Sequence, residues 1–257
     1  MEIYLIRHGT TKWNADFRLQ GKTNTPLDEL GLEMARQTGI RFRELGITFD
    51  RVYTSPLRRA YNTARLAVGL PMLTGDVPVE TGSVTERVSI PKAESQTGIE
   101  PEQEIENAVN IIQDARLEEL GFGQQEGKNT LEMLKDESLP FRYFKDDPPK
   151  YDTLTESVGA ESLTALCRRT AEFLREVVEQ ANLPRRILIS GHGACNKALL
   201  MHIRGDRDLA NFWTGGLQRN CGVDRIEYDP ETGKYTILET GRIYYPEDLA
   251  ANFKNPL

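Results

Sequence analysis

Ile3-Tyr4-Leu5-Ile6-Arg7-His8-Gly9 sets a short apolar, β-prone run directly before an arginine, a histidine and a glycine. The form returns at Ile187-Leu188-Ile189-Ser190-Gly191-His192-Gly193, so two of the chain's three histidines stand just past an apolar run and just before a glycine. Such glycine-bounded runs read as buried strands of a parallel sheet. Ligand sites in these sheets collect where strand C-termini open into loops, so the pattern points to two imidazoles at one crevice. One histidine at a strand end often does no more than satisfy hydrogen bonds. A pair in matching settings argues for more.

Outward from these two runs, strand-like and helix-like patterns alternate, the signature of an α/β fold built from βαβ units around a mostly parallel sheet. From Asp28 to Leu45 the residues Leu32, Ala35, Phe42 and Leu45 recur at helical spacing. Arg51 to Thr54 reads as a second strand running into Ser55-Pro56, where Ser55 is placed to cap a helix and Pro56 to open it, with the helical run reaching Val68. Leu163, Leu166, Thr170, Leu174, Val177 and Ala181 form one apolar stripe that leads to a strand at Arg186 to Ile189. The helix after His192 turns Ala198, Leu199 and Ile203 inward. Gly222 to Tyr228 and Tyr235 to Glu239 flank Asp229-Pro230-Glu231-Thr232-Gly233 and read as a hairpin. Two stretches interrupt the alternation. Residues 71–108 are rich in Glu, Thr, Pro and Gly and read as a surface excursion, either an ordered cap or a mobile loop. Residues 128–159 carry Phe141-Arg142-Tyr143-Phe144, aromatics that call for a packing partner.

A chain of 257 residues is long enough for a sizeable core and sits near the upper limit of one domain, so a single domain over 1–257 with two insertions is expected. No apolar run nears the roughly 18 residues of a membrane span, and the opening Met1-Glu2-Ile3-Tyr4 has no basic and apolar leader, which reads as a cytoplasmic protein. Three widely spaced cysteines, Cys167, Cys195 and Cys221, form neither a disulfide framework nor a zinc site. A net charge of −7 argues against a general partner among nucleic acids or anionic membranes, while leaving room for a local cationic pocket. Oligomeric state has no signal in the chain.

Arg7-His8-Gly9 joins three useful groups. A neutral imidazole is a good nucleophile toward phosphorus, a guanidinium orients phosphoryl oxygens, and a glycine lets the backbone approach a ligand. Other apparent motifs fail on spacing. Gly21-Lys22-Thr23 ends like a P-loop, but the glycine required five positions earlier is Asp16; Gly121-Phe122-Gly123 begins like a dinucleotide fingerprint whose third glycine is Glu126. No cysteine has the arginine six positions on that a thiolate phosphatase loop requires, since those residues are Phe173, Met201 and Glu227. His202 lies nearly three helical turns beyond His192 and reads as structural.

The tripeptide belongs to an ordered series: Arg7-His8-Gly9-Thr10-Thr11 with Trp13-Asn14 and Gln20-Gly21, then Ser55-Pro56-Leu57-Arg58-Arg59-Ala60, then Leu117-Glu118-Glu119-Leu120-Gly121-Phe122-Gly123 with Glu126-Gly127, then Gly191-His192-Gly193. That series resembles the histidine phosphatase superfamily, which includes the cofactor-dependent phosphoglycerate mutases, and spans residues 2 to about 204 apart from the two excursions. The resemblance implies a three-layer α/β/α sandwich, phosphoglycerate mutase-like, with insertions forming a cap. It implies that His8 becomes phosphohistidine, that Arg7, Arg59 and His192 hold the phosphoryl group, and that Glu119 donates and accepts the proton. Asn14, Gln20 and Gly21 match positions on the substrate side. The family spacing leaves Arg58 as a solvated neighbour of Arg59, and Glu118 as a neighbour of Glu119.

Phosphoryl transfer asks for an in-line nucleophile and preorganised positive charge, so two arginines and a second imidazole suffice without a metal or other cofactor. The expected activity is a metal-independent phosphatase acting on a small phosphorylated metabolite. A phosphoglycerate mutase is the alternative within the family, although Thr10-Thr11 stands where the mutases carry Glu-Ser. The alternative of another class is a non-catalytic phosphate-binding protein on the same fold, which would have no use for both His8 and Glu119. Residues 71–108 and 128–159 are expected near the mouth of the site, where they would shape specificity.

Overall fold

The computed structural model describes residues 1–74, 84–89, 108–180 and 184–251. β1 (Glu2–Arg7) is apolar on both faces because it lies inside a sheet covered on both sides. A short α1 (Lys12–Ala15), held by a reciprocal capping box between Thr11 and Asn14, leads to α2 (Glu29–Glu44), whose first turn is capped by Asp28. β2 (Arg51–Thr54) and α3 (Arg58–Ala67) follow. Beyond them lie β3 (Val84–Ser89), β4 (Ala108–Gln113), α4 (Thr130–Met133) and α5 (Pro148–Leu154). The chain closes with α6 (Leu163–Val177), β5 (Arg186–Gly191), α7 (Gly193–Arg204), β6 (Val223–Asp229), β7 (Lys234–Arg242) and α8 (Glu247–Ala251).

The seven described strands form one sheet in the order β3-β4-β2-β5-β1-β6-β7. Its four central strands run parallel, and antiparallel strands flank them at both edges. Alternate residues of the central strands enter two cores. Ile3, Leu5, Ile187 and Ile189 pack with Leu166, Phe173, Leu174 and Leu199 of α6 and α7, whereas Tyr4, Ile6, Leu188 and Val52 pack with Met34, Phe42, Ala64 and Ala67 of α2 and α3. Helices therefore cover both faces, giving the expected three layers. Each fully buried Leu, Ile or Phe in these cores contributes about 1.5–3 kcal/mol.

Register places the site. Arg7 pairs with Gly191 between β1 and β5, and Thr54 pairs with Ser190 between β2 and β5. Hence His8, Ser55 and His192, the residues that follow, emerge side by side from three adjacent strand ends.

Three readings need correction. Ser55 does not cap α3: the N-cap is Leu57, without a side-chain cap, because the extended chain continues two residues past Ser55. Residues 84–89 of the first excursion are an edge strand, and their partner β4 follows from the buried Val109 and Ile111; most of the remaining excursion, 75–83 and 90–107, lies outside the described residues. Arg58 is half-buried, with a guanidinium nitrogen 3.4 Å from the Thr74 carbonyl, rather than simply solvated.

Candidate active site

Arg7, His8, Asn14, Gln20, Gly21, Arg59 and Glu119 all line one cavity of about 90 Å³. His192 is fully buried beside it, its ring centroid 5.1 Å from that of His8. His8 Nδ1 lies 2.6 Å from the Gly9 carbonyl oxygen. A carbonyl only accepts, so Nδ1 carries the proton and Nε2 keeps its lone pair. Burial first, then the positive charges of Arg59 and Arg7, push the His8 pKa well below its usual value. The imidazole is neutral, as a nucleophile must be.

His192 is set by a different partner. Its Nε2 lies 2.8 Å from Ser55 Oγ, which already accepts the Leu57 backbone N–H at 3.2 Å. The Ser55 hydroxyl proton is therefore available to His192 Nε2, which leaves the proton of the neutral ring on Nδ1. Burial, with Arg59 as the next cause, also holds the His192 pKa well below its usual value. Nδ1 has no protein partner among the described residues, and neither do Arg7 Nε and Arg59 Nε. Three buried donors beside His8 are thus left for an acceptor that the described residues do not supply.

Both guanidinium groups are anchored by backbone carbonyls. Arg7 Nη1 donates to Gln218 O at 2.6 Å; Arg59 Nη1 donates to Thr23 O at 2.8 Å and its Nη2 to Gly21 O at 2.7 Å. Neutral acceptors orient the arginines without cancelling their charge. Burial lowers each pKa to about 10, so both remain cations at neutral pH. Glu119 is half-buried, and its carboxylate accepts N–H groups from Leu120 at 2.9 Å, Cys195 at 3.1 Å and Ala194 at 3.2 Å, the latter two in the first turn of α7. Glu118 instead pairs with Lys22 at 3.2 Å, consistent with the choice of Glu119 as the residue facing the cavity.

The sequence profile of the histidine phosphatase superfamily, branch 1, matches residues 3–77 and 98–240. The chain belongs to that superfamily. A Klebsiella pneumoniae (strain 342) protein named "Probable phosphoglycerate mutase GpmB" is 29% identical over 229 residues, which cover 89% of this chain and 85% of the relative. Among solved structures, Bacillus stearothermophilus YhfR matches with a TM-score of 0.69 at 24% identity, covering 94% of this chain and 97% of its own. The alpha-ribazole phosphatase from Shigella flexneri matches with a TM-score of 0.68 at 20% identity, covering 96% and 98%. These likenesses establish the fold.

Within this member of the superfamily, several residues at the site have no signal in the sequence pattern. Asn220 Nδ2 donates to the His8 carbonyl at 2.9 Å, Gln218 Nε2 to Leu5 O at 2.9 Å, and the Cys221 N–H to Arg7 O at 3.0 Å, so residues 218–221 clamp the end of β1. Cys221 adopts φ 51°, a left-handed conformation uncommon for a non-glycine residue, within that clamp. Arg169 of α6 donates to the carbonyls of Arg116, Glu118 and Glu119 at 2.6, 2.8 and 3.1 Å, with Glu161 at 2.7 Å balancing its charge. Asn14 and Gln20 line the cavity, but their oxygens are engaged by Thr11 and Thr25. His202 pairs with Glu179 at 2.6 Å, away from the cavity, as its position on the helix predicted. Phe122, Phe141, Phe144, Trp213 and Leu217 complete the wall, with Phe141 and Phe144 coming from the second excursion.

Proposed function

We propose that the chain is a metal-independent phosphatase that hydrolyses a small phosphate monoester through a phosphohistidine on His8. The observation that carries this reading is the neutral His8, with Nδ1–H bound to Gly9 O, set among the unpartnered donors Arg7 Nε, Arg59 Nε and His192 Nδ1. The two guanidinium cations and the His192 N–H bind the equatorial oxygens, supplying the preorganised charge that stabilises the transition state. His8 Nε2 attacks phosphorus as the bond to the ester oxygen breaks, and protonated Glu119 gives that oxygen its proton to release the alcohol. Glu119 then takes a proton from water, whose oxygen attacks phosphorus. The P–N bond breaks, its electron pair returns to Nε2, and inorganic phosphate leaves.

Phosphate release from a panel of phosphorylated metabolites, with and without EDTA, tests the reading. His8→Ala is expected to abolish release, and EDTA to leave the wild type unaffected. Undiminished release by His8→Ala refutes the nucleophile, and loss on chelation refutes metal independence. The relatives named phosphoglycerate mutase favour a second reading, in which the phosphoryl group returns to substrate. Interconversion of phosphoglycerate isomers in the presence of 2,3-bisphosphoglycerate, without phosphate release, would establish that one instead.

A further inference from the structure

On the reading of His8 as nucleophile and Glu119 as proton donor, we propose that the alcohol portion of the preferred ester is apolar and ring-sized, seated against the wall of Phe122, Phe144, Trp213 and Leu217. The wall adjoins the carboxylate proposed as proton donor. Phe122 follows Glu119 by three residues, and a Cβ added at Gly193 would sit 2.9 Å from Leu217 Cδ1 and 3.5 Å from Glu119 Oε2, which puts leucine and carboxylate beside one another. An alcohol protonated by Glu119 therefore leaves alongside apolar carbon.

The wall is braced as a unit. Phe144 packs edge-on against Phe122 and Trp213 at ring centroid distances of 5.1 and 5.0 Å, and Trp213 Nε1 donates to the Phe144 carbonyl at 2.7 Å. The indole's polar atom is thereby satisfied by the protein and its rings are left as hydrocarbon surface. Besides Arg7 and Arg59, the cavity lining holds a single cation, Arg18. Arg18 is exposed, its Nε bound to Gly127 O at 2.8 Å and its guanidinium stacked 4.7 Å from the Trp13 ring. Among the described residues that line the cavity, no buried cation is left for a second anionic group on the substrate. A carboxylate or second phosphate placed against this wall loses hydration without gaining a partner, whereas a benzyl or branched aliphatic group gains by burial.

The test compares kcat/KM for benzyl phosphate, glycerol 3-phosphate and 3-phosphoglycerate, all esters of primary alcohols rather than phenols, so that leaving-group reactivity does not mimic selectivity. Benzyl phosphate is expected to exceed 3-phosphoglycerate at least about tenfold, with glycerol 3-phosphate between them. Phe144→Ala should reduce that ratio mainly through KM for benzyl phosphate. Leu217→Arg, a change at a half-buried loop position, should move the ratio toward 3-phosphoglycerate by about tenfold and guards against misfolding of the first variant. Release of phosphate from all three esters with 3-phosphoglycerate preferred, or a ratio unmoved by Leu217→Arg, overturns the apolar assignment and leaves the phosphatase standing. Release from none of them, or isomerisation without release, strikes the phosphatase reading itself.

Discussion

At the scale of single residues, the two histidines present opposite faces of the same tautomer. His8 spends its Nδ1 proton on Gly9 O and offers a bare Nε2, whereas His192 accepts a hydrogen bond from the Ser55 hydroxyl at Nε2 and offers Nδ1–H. On the proposed mechanism one is a nucleophile and the other a donor because of their partners, since the sequence settings of the two are nearly alike. Ser55 is thus a positioning residue: without its hydroxyl, the neutral His192 is free to carry its proton on Nε2 and to turn a lone pair toward the phosphoryl oxygens. Ser55→Ala is expected to lower kcat roughly 10- to 100-fold, the scale at which orienting partners of metal-bound histidines act, and Ser55→Thr to restore most of it. Wild-type kcat in the alanine variant would remove Ser55 from the mechanism.

At the scale of elements, Glu119 owes its place to two helices, α7, which opens at the last motif, and α6, which the motifs do not include. The first turn of α7 holds its carboxylate, and Arg169 on α6 holds the carbonyls of Arg116, Glu118 and Glu119 in one fork. A lysine has the charge but not the planar set of donors needed to reach three carbonyls and Glu161 together. Arg169→Lys should cost about 2–4 kcal/mol in urea unfolding, as the broken network leaves buried acceptors unmet, and should lower kcat more than it raises KM. An unchanged unfolding free energy would show that the fork is dispensable. The second excursion meets the same segment at Gly123, where φ is +57° and an added Cβ would collide with the carbonyl oxygens of Val158 and Gly159. This close approach connects the loop bearing Glu119 to the excursion bearing Phe141 and Phe144, so the proposed proton donor and the apolar wall share one junction.

At the scale of the whole molecule, the legible parts were those with local periodicity or local chemistry. Three of the four central strands, β1, β2 and β5, together with α2, α6, α7 and the C-terminal hairpin follow from apolar spacing, and His8, Arg59, Glu119 and His192 from an ordered set of motifs. What stayed hidden was non-local: the clamp at Gln218 and Asn220, the Arg169 fork and the Phe144–Trp213 wall join residues up to 213 positions apart in the chain, which no spacing rule reaches. The edge strand at 84–89 was hidden differently, because the short run Thr85-Glu86-Arg87, with Thr85 and Arg87 exposed, looks like loop until a partner is present.

The cost of bringing these groups together should appear in the pH dependence of folding. His8 and His192 are buried and neutral in the native state, whereas in the unfolded chain each takes up a proton near its ordinary value of 6.5. Below that pH the unfolded state binds more protons than the native state, so stability falls as pH falls from 6.5 toward the depressed native values, and this contribution vanishes above 6.5. Each histidine adds a slope of up to about 1.4 kcal/mol per pH unit. Urea unfolding between pH 5 and 7 should therefore show His8→Gln with a slope smaller than wild type by close to one proton, and the double variant with His192→Gln smaller by close to two. Parallel stability curves for wild type and His8→Gln would mean that His8 takes up its proton at the same pH in the native and unfolded states, and would refute its burial as a neutral imidazole.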